Sequence, residues 1–316
     1  QIRVDLRDNI DALPCGLNLS EATAMTAVYI AIFKCLPSDI PKNAGSYRCI
    51  DVQLRENCVV GIPIHPTSCS IATTNVADRL GNAVQRALTE LAYGIGIAEC
   101  AAGMPAPAAV VSGIDPRNGK PFVNQLIAGV SGGPASAVSD AFITYAHFGS
   151  AGLNKIDPVE LDELYHPMLI HNRRFLPDTE GSGTFRGASA LEVRYSAVDC
   201  EMFVTYAADG FINVARGVHG GGDAEYVHQV LLKTDGNSEV MPPVWQDFIV
   251  PGEVLVGVFP GGGGYGLAIE RDPEKVANDV REKWISPQRA RAVYKVALSM
   301  DGMVDYLMTE QLRGLR

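Results

Sequence analysis

Four consecutive glycines, Gly261 to Gly264, constrain what this 316-residue chain can fold into more than any other feature. They follow the apolar segment EVLVGVF, which is typical of a strand, and they precede Tyr265 and Gly266. Backbone N–H groups in a glycine loop can cradle a phosphate. Glycine is equally required where a chain turns tightly or where two backbones approach closely. The first interpretation predicts a nucleotide enzyme, and the second predicts a structural element.

The residues around the run favour the structural interpretation. A P-loop needs GxxxxGK followed by Ser or Thr, whereas GGGGYG is followed by LAIER, which contains no lysine. A dinucleotide-binding fingerprint opens a helix inside a βαβ unit, but Asp272 and Pro273 restart the structure soon after the run. We therefore predict that Gly261, Gly262, Gly263, Gly264 and Tyr265 form a tight or closely packed loop, with a loop that faces a substrate or a partner as the alternative.

Composition excludes several classes of function. The chain has 26 Lys and Arg residues against 36 Asp and Glu residues, a net charge of −10, and no cluster of basic residues. A nucleic-acid or acidic-membrane surface needs such a cluster, so neither partner is expected. No signal peptide is expected, and the sequence contains no apolar run of membrane length. Seven scattered cysteines without a CxxC pair argue against a zinc ribbon and predict reduced, buried thiols in a cytoplasmic protein.

The hydrophobic pattern predicts an α+β protein in three parts. Residues 1–150 read as an α/β region with buried helices, in which SEATAMTAVYIAIF begins after the capping residue Ser20. Residues 151–270 contain short alternating segments such as LEVRYSAV and EMFVTYAA, which are typical of antiparallel strands. Residues 271–316 read as a short helical tail, with one helix start at Asp272 and Pro273 and another at Ser286 and Pro287. The chain opens at Gln1 directly into the strand-like IRVDLRDN, so we expect further residues upstream.

Several motifs, in order along the chain, resemble the hydantoinase B/5-oxoprolinase family. PGGGGYG and the following ERDPEKVANDVREKWISPQRARAVYKVAL resemble its C-terminal signature, and LPDTEGSGTFRGASALEVRY resembles its LPDSGGPGRFRGG segment. GVHGGGDA is similar to its second glycine cluster, and TTNVADRLGNAVQRAL to its GNVETSQR helix. FVNQLIAGVSGG and DAFITYAHFGSAG are similar to an acetophenone-carboxylase-like branch. Leu267 and Ala268 depart from the family's usual Asp-Pro after GGGGYG.

The resemblance implies the C-terminal part of a B-type subunit in a cytoplasmic hetero-oligomer. The family's metal-binding His/Asp motifs belong to an N-terminal part of a longer polypeptide, so the divalent metal is expected there. ATP is expected on a hydantoinase A-type partner subunit. No cofactor is expected on this chain itself, and the isolated chain is expected to be inactive.

Three functions remain open from the resemblance. The leading one is ATP-dependent hydrolysis of a cyclic amide, such as a hydantoin or lactam, through a phosphorylated substrate. The second is ATP-dependent carboxylation of a ketone. The third is a scaffold without a catalytic role. The first two share a physical requirement, because anionic oxygens must be stabilised by directed donors and the attacking reagent must be positioned.

His147 in TYAHFGSAG is the predicted catalytic residue. It lies between Tyr145 and a Gly149-Ser150 turn, where a neutral imidazole can orient a carbonyl or accept a proton near pH 7. The alternative is a histidine that is hydrogen-bonded inside a loop.

Four further residues are predicted to bind substrate. Asn75, Asp78 and Arg79 surround the start of a predicted helix, where backbone N–H groups favour anions, and Arg79 can pair with a phosphate or carboxylate. His65 is held between prolines in IPIHPTSC. Alternatively, Asn75 only caps the helix, Arg79 forms a surface or intersubunit salt bridge, and His65 is a packing residue. No metal site is predicted, because His219 and Asp223 would supply only two ligands.

Overall fold

The computed structural model describes residues 1–70, 75–143 and 155–314. Within these ranges the chain forms seven α-helices and twelve β-strands, which confirms the predicted α+β class with a helical C-terminal tail. The helices are α1 (Glu21–Phe33), α2 (Ala44–Tyr47), α3 (Val76–Thr89), α4 (Val159–Tyr165), α5 (Pro273–Arg281), α6 (Pro287–Ala292) and α7 (Tyr306–Leu312). The strands are β1 (Ile2–Asp5), β2 (Ile50–Gln53), β3 (Gly103–Met104), β4 (Val110–Asp115), β5 (Lys120–Gln125), β6 (Met168–Phe175), β7 (Leu191–Ala197), β8 (Met202–Ala208), β9 (Gln229–Leu232), β10 (Ser238–Met241), β11 (Val244–Ile249) and β12 (Val254–Phe259).

The N-terminal layer combines helices α1 and α3 with a two-stranded parallel sheet. Strands β1 and β2 pair in parallel, with Ile2 opposite Ile50. As predicted, Ser20 caps α1, and its hydroxyl accepts a hydrogen bond from the N–H of Thr23 at 3.3 Å. The apolar residues of α1 pack against Leu80 of α3 in one buried cluster, which places the two helices side by side.

Two antiparallel sheets form the largest core. One sheet has the strand order β10-β9-β12-β7-β6, and the other has the order β11-β8-β4-β5 with β3 beside β8. Tyr195 of β7 and Leu255 of β12 pack against Met202 of β8 and Ile249 of β11. The two sheets therefore bury one face against each other.

The second sheet takes strands from two distant parts of the sequence. Strands β4 and β5 pair with each other, and β4 also pairs with β8. The antiparallel strands thus begin before residue 150, and the predicted boundaries at residues 150 and 270 stay predictions.

Beside the sheets lies a bundle of glycine-rich segments, which we call the glycine bundle. Its segments are residues 98–101, 131–135, 179–188, 215–222 and 260–266. The run at 261–264 is fully buried at its centre, and none of the four glycines has a φ in the left-handed region. A Cβ on Gly263 would overlap the carbonyl of Arg216, and one on Gly261 would lie 2.7 Å from the carbonyl oxygen of Thr179. Close approach of backbones, and not a turn, is the reason for glycine here.

Helices α5 to α7 pack onto the glycine bundle. Asp272 caps α5 and Ser286 caps α6, as the sequence predicted. Arg186 lies in segment 179–188 and donates from Nε to Asp279 of α5 at 3.0 Å. Arg271 binds the other carboxylate oxygen of Asp279, so two arginines hold this helix against the bundle.

Candidate functional site

Helix α3 carries a stripe of buried polar side chains. Asp78, Asn82, Gln85 and Thr89 are each at most 4% exposed, and their spacing places them along one side of the helix. Asn82 donates from Nδ2 to the carbonyl of Cys100 at 3.0 Å and accepts from its N–H at 3.1 Å. Gln85 binds the carbonyl of Ala31 in α1. The stripe therefore fixes α3 between α1 and the segment that enters the glycine bundle.

Arg79, the residue after Asp78 in α3, contacts the segments around Asp209, Glu99 and Asn213. Its Nε donates to Asp209 at 2.5 Å, its Nη1 lies 3.5 Å from Glu99, and its Nη2 donates to the carbonyl of Asn213. Burial lowers the pKa of Arg79, but the hydrogen bond and charge of Asp209 outweigh it and raise the pKa overall. The guanidinium thus ties α3 to the loop after β8 by a salt bridge within the chain.

Glu99 connects this salt bridge to the glycine bundle. Its carboxylate accepts from the N–H of Arg216 at 3.1 Å and lies 3.6 Å from Arg86, in addition to the contact with Arg79. Its backbone carbonyl accepts from the N–H of Gly263 at 2.9 Å. One residue thereby couples the start of α3, the loop around Arg216 and the glycine run.

Lys34 and Cys100 lie near the buried carboxylate of Asp78. Burial lowers the pKa of Lys34 to about 8, although Cys100, Asp78 and Cys35 oppose that change. Burial, followed by the charge of Asp78, raises the pKa of Cys100 to about 12, so this cysteine is a neutral thiol near pH 7. A lysine that releases its proton so readily beside a carboxylate can exchange protons with a bound molecule.

The glycine run does not present its amides to a ligand. The N–H groups of Gly262, Gly263, Gly264 and Tyr265 donate to carbonyls of four different residues, at 2.9 to 3.0 Å. A phosphate cradle needs such N–H groups to be free for the anion. The run is therefore a packing element next to the site, which agrees with the structural interpretation of its sequence.

The site residues predicted from the sequence do not all lie together in the structure. Asn75, Asp78 and Arg79 lie together at the start of α3, but Asn75 makes no side-chain capping bond and instead donates to the carbonyl of Ala207 at 3.3 Å. Asn75 thus occupies the N-cap position of α3, but without the side-chain hydrogen bond that a capping residue usually makes. His65 is exposed, next to a cis peptide bond with Pro66. His147 lies outside the described residues. The functional roles assigned to these residues stay predictions.

The cysteines are free, but their burial was only partly predicted. None of the seven forms a disulfide, and only Cys58 and Cys100 are fully buried. Cys15 and Cys49 are exposed. Apolar neighbours in sequence did not distinguish these cases, because burial of a thiol depends on which distant segments cover it.

Sequence reasoning missed Lys34, Glu99 and Asp209. Lys34 ends an apolar helix, and Glu99 and Asp209 stand in glycine-rich or irregular segments without a recognisable motif. The buried stripe had a detectable signal, since Asp78, Asn82, Gln85 and Thr89 follow helical spacing. No group of three or more His, Cys, Asp or Glu side chains able to hold a metal occurs in residues 1–70, 75–143 and 155–314. In the same ranges, no helix has the length and apolar character to cross a membrane.

This fold, with a glycine bundle beside two antiparallel sheets, belongs to a known class of protein. The hydantoinase B/oxoprolinase family matches residues 1–268, which is most of the chain. The chain therefore belongs to the hydantoinase B/oxoprolinase family, and the resemblance seen in the motifs is confirmed.

Among curated proteins, the chain is similar to caprolactamase subunit beta from Pseudomonas jessenii. The two are 28% identical over 96% of this chain and 52% of that subunit. Among solved structures, the ATP-dependent caprolactamase from the same organism aligns with a TM-score of 0.84 at 25% identity, over 99% of this chain and 54% of that chain. This chain thus spans about half the length of these relatives.

A second solved structure shares the fold. The nucleotide-free acetone carboxylase structure aligns with a TM-score of 0.82, over 99% of this chain and 46% of that chain. The sequences are only 16% identical, so this similarity shows the common fold alone.

Proposed function

We propose that this chain is the C-terminal part of a B-type subunit in a cytoplasmic, ATP-dependent hydrolase of cyclic amides, with a lactam as the favoured substrate class. The observation that carries the proposal is the 28% identity to caprolactamase subunit beta, which extends over 96% of this chain. The similarity includes the helix α3 and the glycine bundle and is not confined to one motif. The partners are an A-type subunit that binds ATP and the remaining part of the B-type subunit.

The chemistry explains why ATP is needed. An amide carbonyl is a poor electrophile, and transfer of the terminal phosphoryl group of ATP to its oxygen makes the carbon reactive and releases ADP. Water then adds to that carbon, and the ring C–N bond breaks with a proton taken up by nitrogen, which leaves an acyl phosphate. A second water hydrolyses this acyl phosphate and releases inorganic phosphate. The products are a ring-opened amino acid, ADP and phosphate.

The start of α3 is the part of this chain that we assign to the site. Asn75 and Asp78 would bind substrate there, and Lys34 would exchange a proton with it. Arg79 would act by holding the loop at Asp209 in place, since its donors already have partners. His65 and His147 remain proposed site residues from the sequence, with His147 as the proposed catalytic group.

The test is ADP release by the co-purified complex of the full-length polypeptides. Lactams and hydantoins are supplied first, followed by ketones with and without bicarbonate. Release of ADP together with ring-opened product, independent of bicarbonate, is the expected result. No ADP release with any cyclic amide would contradict the proposal.

A matched pair of variants tests the assignment of α3. Asp78→Asn keeps the shape of the side chain but removes its charge, so we expect kcat/KM to fall by at least about tenfold. Asp8→Asn alters an exposed carboxylate far along the sequence and is expected to leave turnover unchanged. A parallel measurement of the melting temperature separates a loss of chemistry from a loss of folded protein. Equal turnover in both variants would remove Asp78 from the site.

Ketone carboxylation is the second candidate. It is favoured by the shared fold with acetone carboxylase and by the segment DAFITYAHFGSAG. ADP release that requires both a ketone and bicarbonate would establish it over the hydrolase. The third candidate, a scaffold without catalytic role, predicts that His147→Ala and Arg79→Ala leave the turnover of the folded complex intact.

A further inference from the structure

A cavity opens between helix α1, helix α2 and the connection between them. Its volume is about 470 Å³, which is within the range of small-molecule sites in proteins. Its principal lining residues are Tyr29, Ile30, Phe33, Lys34, Lys42 and Tyr47. The proposed function does not use this cavity, apart from the shared residue Lys34.

Three aromatic rings give the cavity a fixed apolar wall. Tyr29 and Tyr47 stack with a centroid distance of 4.8 Å and an interplanar angle of 13°. Phe33 meets Tyr47 edge to face, with a centroid distance of 5.4 Å. Because each ring is held by another, the wall exists before a ligand binds, which reduces the ordering cost of binding. Such a wall suits a ring or a short alkyl chain.

The charge of the cavity is opposite to that of the chain. Within the part of the chain that the structure describes, two lysines line the cavity and no carboxylate does. The whole chain carries a net charge of −10, so a locally cationic cavity is not a consequence of composition. Lys42 is exposed at the rim, whereas Lys34 is half-buried at the end of α1. An anionic group that enters between them gains two charge-assisted contacts.

We propose that this cavity binds a small carboxylate with an aromatic or aliphatic body. The carboxylate lies between Lys34 and Lys42, and the body lies against Tyr29, Phe33 and Tyr47. This inference goes beyond the proposed function, because it rests on the cavity alone and holds for either reaction class.

Binding has a pH dependence that follows from Lys34. Burial lowers the pKa of Lys34 to about 8, and the titratable groups that oppose this change are Cys100, Asp78 and the adjacent Cys35. A bound carboxylate favours the charged ammonium, so a proton is taken up on binding above that pH. Affinity is therefore expected to fall as the pH rises from 7 to 9.

Calorimetric titration of the full-length complex tests the proposal, with benzoate and hexanoate as probes and benzamide as the neutral control. We expect saturable binding of both carboxylates and about tenfold weaker binding of benzamide. Lys42→Gln should weaken benzoate binding by about tenfold, and Lys42→Arg should restore most of it. Lys120→Gln, on an exposed position of β5, is the matched control and should leave binding unchanged.

Three results would overturn the proposal. The first is equal affinity for benzoate and benzamide. The second is equal weakening by the substitutions at Lys42 and Lys120, which would indicate a nonspecific charge effect. The third is no saturable binding at all, as expected if another part of the longer polypeptide or a partner subunit covers the cavity.

Discussion

Arg271 and Asp279 form an ion pair in the interior of the protein, with 2.9 Å between Nη2 and Oδ2. Both side chains are almost completely excluded from solvent. Asp279 also accepts from Arg186 of the glycine bundle, and Arg271 also binds Asp140. The helical tail is thus joined to the bundle by a network of buried ion pairs. Loss of one charged side chain leaves an opposite charge in the network without a partner.

Removal of the charge of Asp279 is predicted to destabilise the fold strongly. Asp279→Asn preserves the shape of the side chain but leaves Arg186 without its carboxylate partner and Arg271 with only one. Breaking a buried pair from one side typically costs about 3–5 kcal/mol, so the free energy of unfolding should fall by about that amount. Urea unfolding measures it. Glu282→Gln, at an exposed position after the same helix, should change it by less than about 0.5 kcal/mol.

Gly263→Ala is predicted to disrupt the glycine bundle. The added methyl group would overlap the carbonyl of Arg216, which is itself held by a hydrogen bond from the N–H of Glu99. Overpacking of this kind costs about 1–3 kcal/mol or more, because neither backbone can move independently. Thermal unfolding is the measurement. Gly45→Ala is the control, since its Cβ would approach only the side chain of Asn43, and an equal loss in both variants would contradict the close-packing account.

Local signals in the sequence predicted the elements well. Ser20, Asp272 and Ser286 each cap a helix where the sequence placed one, because a capping side chain bonds to an N–H two or three residues away. The alternating segment LEVRYSAV is strand β7, and the apolar run EVLVGVF is strand β12, since both patterns are likewise local properties of the sequence. The start of α3 near Asn75 was predicted for the same reason.

Partners that are distant in sequence were not predictable from it. Arg79 meets Asp209, and Arg271 meets Asp140, across more than a hundred residues each, and neither pair has a motif that links its members. Only the folded chain shows that the guanidinium donors of Arg79 already bind Asp209, Glu99 and the carbonyl of Asn213. The glycine run suggested close approach of backbones, but the four other segments of the bundle that approach it are far apart in the sequence.

Tyr265 offers a test of the junction between the bundle and the segment after α3. Its hydroxyl accepts a hydrogen bond from the N–H of Gly94 at 2.9 Å, and its side chain is fully buried. Tyr265→Phe leaves that N–H without its partner, which should lower the free energy of unfolding by about 1–2 kcal/mol. Chemical denaturation checks this value. Tyr226→Phe removes an equivalent hydroxyl from a ring that is 60% exposed and should have no measurable effect.

Asp162 in helix α4 should make the stability fall as the pH rises. Its side chain is buried, and one carboxylate oxygen has no hydrogen-bond partner among the described residues. Burial, assisted by the nearby charges of Asp157 and Glu163, raises the pKa of Asp162 to about 6, against an ordinary value of 3.8. Between the unfolded-state pKa and the folded-state pKa, the folded chain binds more protons than the unfolded chain. The free energy of unfolding therefore decreases from about pH 4 to pH 6 and stays lower above pH 6.

Asp162→Asn abolishes this titration and is predicted to stabilise the protein above pH 6 only. At pH 8 the variant should gain about 1–2 kcal/mol relative to the parent, because no charge has to be kept in the buried position. Near pH 4 the two proteins should differ little, since the parent carboxyl is then protonated in the folded state. Urea unfolding at both pH values measures the difference, with Asp39→Asn as the exposed control. Parallel stability curves for parent and Asp162→Asn across this range would show that the carboxyl is already charged at pH 4 and that its burial does not raise its pKa.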